Sequence, residues 1–317
     1  MTGLLSLARV ELARTPTPLH PAPRLSVALG TEVWFKRDDL TGMGLGGNKV
    51  RALEFLMGDA LAQGCDCVVT GAGPQSNWAM LAALAARRVA LDPFLLFYGY
   101  AGPAAGNRML AEMIGAEVSF TGDPERSSVD GAIETTAAKL RSAGRRPYVL
   151  PRGGATALGA VGYARASLEL SEQLLQAGLR PAQLWLATGS CATQAGLVAG
   201  ARWLGLPYHV IGVTVSRPIE ECLQRVRDLA AGAAELIGAP RAAPEEVVVL
   251  GEHIGPGYGL RSVAGDRAAG MVARSEGVFL DPVFAAKAMA ALIAAERPAG
   301  PVIFLVSGGA PTLFTVP

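Results

Sequence analysis

The sequence predicts an α/β fold, a mostly parallel sheet arrangement with helices on both faces. Three observations carry that reading. Short apolar runs alternate with longer amphipathic stretches along almost all of the 317 residues, the pattern of helices packed on both sides of a sheet. Several runs are continuously apolar, as strands covered on both faces should be. Strand and helix units also lie on both sides of a break at Pro151-Arg152-Gly153-Gly154, so two open, twisted sheets are expected with a ligand cleft between them.

Taken in chain order, the first strand is expected at 32–36, around Val33, Trp34 and Phe35, and the glycine-rich stretch after it leads into a helix over 49–63 that Gly64 stops. A strand at 67–70 precedes a helix over 76–88, for which Ser76 and Asn77 are good N-cap residues. Strands at 93–98, 117–121 and 148–150 alternate with helices over 107–114 and 129–142. A helix over 158–177, stopped by Gly178, leads to a strand at 184–188 and a helix over 193–204. Strands at 209–215 and 247–250 flank a helix over 218–237, and helices over 265–275 and 282–295 precede a last strand at 302–306. No internal repeat or low-complexity segment interrupts the series.

Bulk composition narrows the class of function. Half of the residues are hydrophobic, enough for a large core and, at this length, two compact units. Lys plus Arg number 28 against 27 Asp plus Glu, a balance that recommends no nucleic-acid or acidic-membrane partner and points to a small ligand. Cys65, Cys67, Cys191 and Cys222 lack the paired spacing of a zinc site, and His20, His209 and His253 lie far apart, so neither metal nor disulfide is expected. The N-terminal stretch lacks the basic start of a signal peptide, and no apolar run approaches the ~18 residues needed to span a bilayer. A soluble, cytoplasmic protein is the expectation.

Four loops concentrate the residues able to do chemistry. The first delivers Lys49 after Gly42, Gly44, Gly46 and Gly47. Glycines let backbone approach a bound molecule closely, and an amine placed there can form a Schiff base with an aldehyde cofactor. The same glycines satisfy a dinucleotide pattern as Gly42-x-Gly44-x-x-Gly47, although Asp66 stands at the start of the next strand rather than at its end, where a ribose partner belongs. A solvated lysine after a turn is the bland alternative. The second loop, Gly71 to Asn77, puts Ser76 and Asn77 at a helix start, where they serve as a cap or as a carboxylate receptor. The third, Thr188 to Leu197, has the small residues and hydroxyls of a phosphate cup, or of ordinary strand-to-helix packing. The fourth ends the last strand in Ser307-Gly308-Gly309.

In this order, the loops resemble the pyridoxal-phosphate enzymes of the tryptophan-synthase-β-like fold (fold type II), in the branch of D-cysteine desulfhydrase and 1-aminocyclopropane-1-carboxylate deaminase. Pro16 to Leu19, Lys36 to Asp39, Gly46 to Glu54, Gln75 to Asn77, Gly153-Gly154, Ser190 to Gly196, Gly257 to Gly259, Glu276 to Val283 and Ser307 to Gly309 carry the resemblance across nearly the full chain. It implies a large cofactor-binding domain from residues 1–50 and 156–317, with 51–155 as a small domain closing over the cleft. Lys49 would be the Schiff-base lysine and then the base at Cα. Asn77 would meet the cofactor's 3′-oxygen, Gly189, Ser190, Cys191, Ala192 and Thr193 its phosphate, and Ser307 its ring nitrogen. Gln75 and Ser76 would face the substrate carboxylate and Tyr258 would stand beside the substrate, which makes Lys49, Ser76 and Tyr258 the catalytic candidates.

The chain departs from that pattern at four places. Phe284 stands where a tyrosine is usual, Ala285 where the deaminases have a glutamate for the ring nitrogen, Trp78 where a histidine is common, and Cys191-Ala192 where glycines are common. Trp78 and Phe284 join Asn77 and Tyr258 as residues expected against the substrate. A hydroxyl at Ser307 cannot keep a pyridine nitrogen protonated, which suits β-elimination. The resemblance thus implies α,β-elimination from D-cysteine or a related β-substituted alanine, giving pyruvate and ammonia. The open alternatives are a different specialised amino-acid reaction, including deaminase-like ring opening, a catalytically silent cofactor-binding relative and, more distantly, a nicotinamide-dependent oxidoreductase. A homodimer is expected by analogy alone.

Overall fold

A computed structural model describes residues 2–296 and 299–314. Ten strands and eleven α-helices alternate along them. The strands are β1 (Leu19–Pro21), β2 (Val33–Arg37), β3 (Cys67–Ala72), β4 (Asp92–Phe97), β5 (Glu117–Phe120), β6 (Pro147–Val149), β7 (Gln183–Thr188), β8 (His209–Thr214), β9 (Val248–Leu250) and β10 (Val302–Val306). The helices are α1 (Thr2–Ser6), α2 (Pro23–Leu29), α3 (Lys49–Ala62), α4 (Asn77–Arg88), α5 (Gly106–Met113), α6 (Ser128–Ser142), α7 (Ala157–Ala177), α8 (Ala192–Leu204), α9 (Ile219–Ile237), α10 (Val263–Glu276) and α11 (Ala285–Ala294).

The strands form two sheets, as the break near Pro151 predicts. The larger runs β1-β2-β10-β7-β8-β9, parallel except for the β1–β2 pair, and the smaller runs β5-β4-β3-β6, parallel throughout. All strands of the smaller sheet come from one continuous stretch, β3 to β6, while the larger one takes strands from both sides of it. The outer limits of the expected domains, residues 1 and 317, lie outside the described residues.

The continuous apolar runs have the cause the sequence suggests. In the large sheet Leu184, Leu186, Val210, Ile303 and Leu305 face a cluster built with α7, α8 and α9. Val33, Phe35, Trp185, Val213, Val302 and Phe304 face an opposite cluster built with α10 and α11. Alternate residues thus enter two cores, so both faces must be apolar.

Four elements depart from expectation. Helix α1 and strand β1 are too short to show a period. Helix α2 begins at Pro23 and is capped by the left-handed Gly30, the start and stop signals that identify a short helix after a cluster of prolines. Helix α11 begins at Ala285 rather than at 282, because the Asp281 carboxylate accepts hydrogen bonds from the N–H groups of Val283, Phe284 and Ala285 at 3.1, 2.7 and 3.0 Å and folds that stretch into a capping turn.

A buried ionic network underlies the Lys49 turn. Arg51 donates Nε and Nη2 to the two Asp38 oxygens at 2.7 and 2.8 Å and Nη1 to Glu169 at 2.9 Å. Lys36 pairs with Glu169 and donates to the Thr17 carbonyl at 2.8 Å, while Tyr163 donates its hydroxyl to Asp38. Burial opposes the Asp38 charge, but the adjacent Arg51 outweighs it and holds the carboxyl down at about 2.

Candidate active site

The four loops predicted from sequence meet in one cleft of about 830 Å³, including its mouth, at the carboxyl ends of strands from both sheets. That volume suits a cofactor with a small substrate.

Lys49 is the first residue of α3. Gly46 and Gly47 have φ of 73° and 130°, and a Cβ on Gly46 would lie 1.9 Å from the Asp39 carbonyl oxygen, so this turn requires glycine. The N–H of Gly47 donates to the Asp38 carbonyl at 3.1 Å and that of Asn48 to the Ser307 carbonyl at 2.9 Å. The lysine turn is therefore fastened to the ends of β2 and β10. Lys49 lines the cleft with its Nζ 3.5 Å from Ser190 Oγ, and burial lowers its amine from 10.5 to about 8.

Across from the amine stands the start of α8. Gly189 and Ser190 line the cleft, and Cys191 takes a left-handed conformation (φ 78°) at the N-cap. The first-turn N–H groups, from Ala192 and Thr193 onward, leave an anion receptor at this end. The side chains of Cys191, Ala192 and Thr193 do not line the cleft. Cys191 is buried, with its thiol held protonated by contact with Cys222 and by burial, and the Thr193 hydroxyl accepts from Asn48 Nδ2 at 3.0 Å. A Cβ on Gly189 would meet the Phe284 ring at 3.5 Å, an ordinary van der Waals contact, so the loop and that ring are neighbours.

The start of α4 forms another wall, where Ser76, Asn77 and Trp78 line the cleft. Ser76 is the N-cap, its hydroxyl oxygen accepting from the Ala79 N–H at 3.3 Å. Asn77 Oδ1 accepts from Asn107 Nδ2 at 2.7 Å, which orients its amide. Gln75 is placed differently. Its amide donates to the Ala105 carbonyl at 3.0 Å and accepts from the Asn107 N–H at 3.1 Å, and it lines an adjoining cavity together with Ser76, Tyr258 and Phe284. Trp78 donates its indole N–H to Thr70 Oγ1 at 3.0 Å, and its ring lies where a Cβ on Gly154 would be, 2.1 Å away. The bulky indole thus depends on Gly154 having no side chain.

Tyr258, Phe284 and Ser307 complete the cleft. The rings of Tyr258 and Phe284 meet edge to face at 6.1 Å, and burial pushes the Tyr258 hydroxyl up to about 12, so it is a neutral hydrogen-bond donor at physiological pH. The buried Lys287 ammonium donates to the carbonyls of Ile254 and Gly257 at 2.7 and 2.9 Å and so fastens the Tyr258 loop to α11. Ala285 sits in the apolar cluster under α11.

The cleft also contains residues not anticipated from the sequence: Tyr98, Arg126, Arg152, Ser216 and Arg217. Ser216 and Arg217 follow β8, so the strand-end rule could have found them. Arg126 precedes α6 and Arg152 sits in the break between the sheets, where no periodicity marks them. Among the described residues, no group of three or more His, Cys, Asp or Glu is placed to hold a metal ion, and no helix is long and apolar enough to cross a membrane.

The donor set matches an aldehyde that also carries an anionic group: an amine of lowered basicity, a helix N-terminus facing it, and a hydroxyl at the end of β10. Comparison with known proteins agrees. The family described as pyridoxal-phosphate dependent enzyme matches residues 10–308. A D-cysteine desulfhydrase from Salmonella choleraesuis (strain SC-B67) is 38% identical over 323 residues, covering 98% of this chain and 97% of the relative. The crystal structure of an ACC deaminase homologue superposes with a TM-score of 0.92 at 34% identity, covering 99% and 95% of the two chains. A threonine deaminase from T.th. superposes with a TM-score of 0.70 at 20% identity over 92% of each chain, a likeness of fold.

Proposed function

Because the chain belongs to the pyridoxal-phosphate-dependent enzymes, we propose that it removes a leaving group from Cβ of a small amino acid, D-cysteine or a related β-substituted alanine, yielding pyruvate and ammonia. The observation that carries this reading is the Lys49 amine, lowered to about 8 and 3.5 Å from Ser190, in a cleft closed on another side by the Ser307 hydroxyl. The D-cysteine desulfhydrase relative supports the substrate. The cofactor, when bound, supplies the aldehyde that takes the substrate amine and the ring that accepts electrons freed at Cα.

The rest belongs to this chain's residues. Lys49 would hold the cofactor aldehyde and, once released from it, would take the Cα proton, for which an amine near 8 is well matched at neutral pH. The loop Gly189–Thr193 would bind the phosphate through backbone N–H groups and Ser190, and Asn77 would meet the 3′-oxygen. Ser76 receives the substrate carboxylate at the α4 N-terminus, with Gln75 behind it. Trp78, Tyr258 and Phe284 shape the substrate end, and Tyr258 donates a hydrogen bond there. Ser307, with no carboxylate in its place, would leave the ring nitrogen uncharged, which would favour loss of a leaving group over storage of charge. By analogy, we extend the proposal to a homodimer acting in the cytoplasm.

The test is product formation from D-cysteine and from β-chloroalanine, followed as pyruvate. Release from D-cysteine is expected, with Ser76→Ala lowering kcat/KM by roughly 10- to 100-fold, the loss of a hydrogen bond to a charged group. Pyruvate from neither compound, in a protein that binds the cofactor, would sink the elimination reading. The pH dependence of cofactor capture gives a second check. Only the neutral amine reacts, so the capture rate should rise about tenfold per pH unit and level off near 8. An unperturbed lysine would keep rising to about 10.4. A rate still climbing at pH 10 contradicts the burial of this amine.

A further inference from the structure

The cleft contains a guanidinium with which no carboxylate pairs among the described residues. Arg152 is paired with Asp130 through Nε and Nη2, both at 3.1 Å, and Arg217 is paired with Glu221 while its Nε donates to the Gly189 carbonyl at 3.2 Å. Arg126 differs. Its guanidinium lies over the Tyr258 ring, 4.3 Å from the centroid, its Nε is shut off from solvent without a hydrogen-bond partner, and among the described residues no carboxylate pairs with it. The buried Asp281 carboxylate is committed to three backbone N–H groups at the start of α11. A buried guanidinium N–H without an acceptor is unfavourable unless a ligand supplies one.

The position of Arg126 indicates which part of a ligand would do so. Tyr258 also borders the adjoining cavity with Ser76, Tyr98 and Phe284, and no residue of the 189–193 loop reaches that cavity. Arg126 lines the same cleft as Gly189 and Ser190, but its guanidinium is stacked on Tyr258, the ring that borders this second cavity, which turns it toward the substrate end. The start of α4 already offers a receptor for the α-carboxylate, so the charge of Arg126 is surplus to a neutral amino acid. We propose that Arg126 receives a second anion on the substrate, a sulfonate or phosphate oxyanion carried by the amino-acid side chain. The planar guanidinium can meet two of its oxygens at once, and the Tyr258 ring holds that plane in place through a cation–π contact. This assignment rests on the lyase reading and adds to its substrates β-substituted alanines with an acidic substituent.

The experiment is a spectral titration of the cofactor-loaded protein, which reads amino-acid binding independently of turnover. Both enantiomers of 3-sulfoalanine and O-phosphoserine are compared with those of serine and β-chloroalanine, using wild type, Arg126→Gln and Arg126→Lys. Wild type should bind at least one of the two acidic compounds roughly 10- to 100-fold more tightly than serine, the two arms separating sulfonate from phosphate. Arg126→Gln should abolish that preference while leaving serine within about twofold, the range of measured context dependence, and Arg126→Lys should restore part of it. The proposal fails if wild type shows no acidic preference, or if Arg126→Gln weakens acidic and neutral compounds equally, which would assign Arg126 to the α-carboxylate or to Tyr258 alone. A protein that develops no absorbance band with the cofactor defeats the lyase reading and this proposal together. A normal band without acidic preference defeats this proposal alone.

Discussion

Lys49→Ala should abolish the absorbance band near ~410–430 nm expected of a lysine-linked pyridoxal cofactor, and should lower elimination by on the order of 10²- to 10⁴-fold, the contribution of a positioned proton-transfer group. The prediction follows from placement. Gly46 and Gly47 bend the chain as other residues cannot, and two backbone hydrogen bonds fasten the turn to β2 and β10, so the amine has a fixed origin. No second amine among the described residues is positioned to replace it, since the nearby Lys287 ammonium is held by the carbonyls of Ile254 and Gly257. The substitution removes a half-buried side chain from the cleft wall rather than from a packed core, so the fold should survive it. A Lys49→Ala protein that keeps the band and the rate would falsify the cofactor assignment.

The second large effect concerns stability. Arg51→Met should destabilise the protein by about 3–5 kcal/mol in urea unfolding, the range for removing one partner of a buried ion pair. Arg51 is buried and meets Asp38 through two nitrogens and Glu169 through two N–H groups, so its loss leaves two carboxylates facing each other without their shared cation. The penalty should be pH-dependent with a defined sign. The folded carboxyl of Asp38 is depressed to about 2 from 3.8, so the stability it contributes is present above about 3.8 and fades as pH falls towards 2. The deficit of the variant should accordingly shrink in acid, where a neutral Asp38 no longer needs Arg51. A loss below about 1 kcal/mol at neutral pH, the scale of a surface pair, would show that the network is not closed to water. Because the Asp38 carbonyl also accepts from Gly47, the variant should bind cofactor less well even where it remains folded.

Much of this protein is legible along the chain because the relevant signals are local. A strand buried on both faces needs apolar residues at successive positions, so runs such as Val302 to Val306 announce themselves. Glycines that must adopt positive φ, as at Gly46, and residues that cap helices, as at Ser76, are likewise dictated within a few residues. The family resemblance leads to Asn77, Tyr258 and Ser307, which line the cleft together with Lys49. The helical pattern over 282–284 gives way to a turn because the Asp281 side chain offers those backbone N–H groups a competing acceptor.

What the sequence determines by itself is therefore the α/β class, the places along the chain of nine of the ten strands among the described residues, and the amine delivered at Lys49. Only tertiary structure decides what surrounds that amine. Gln75, expected against the substrate, turns its amide to Ala105 and Asn107, and Trp78 fits only because Gly154, far along the chain, leaves room for its ring. Arg126, Arg152 and Arg217 come from three different loops, and which of them keeps an unpaired charge depends on Asp130 and Glu221 standing beside the other two. Periodicity records how each segment meets a core, whereas the charge left over in a cleft is a sum over segments that meet only when the chain has folded.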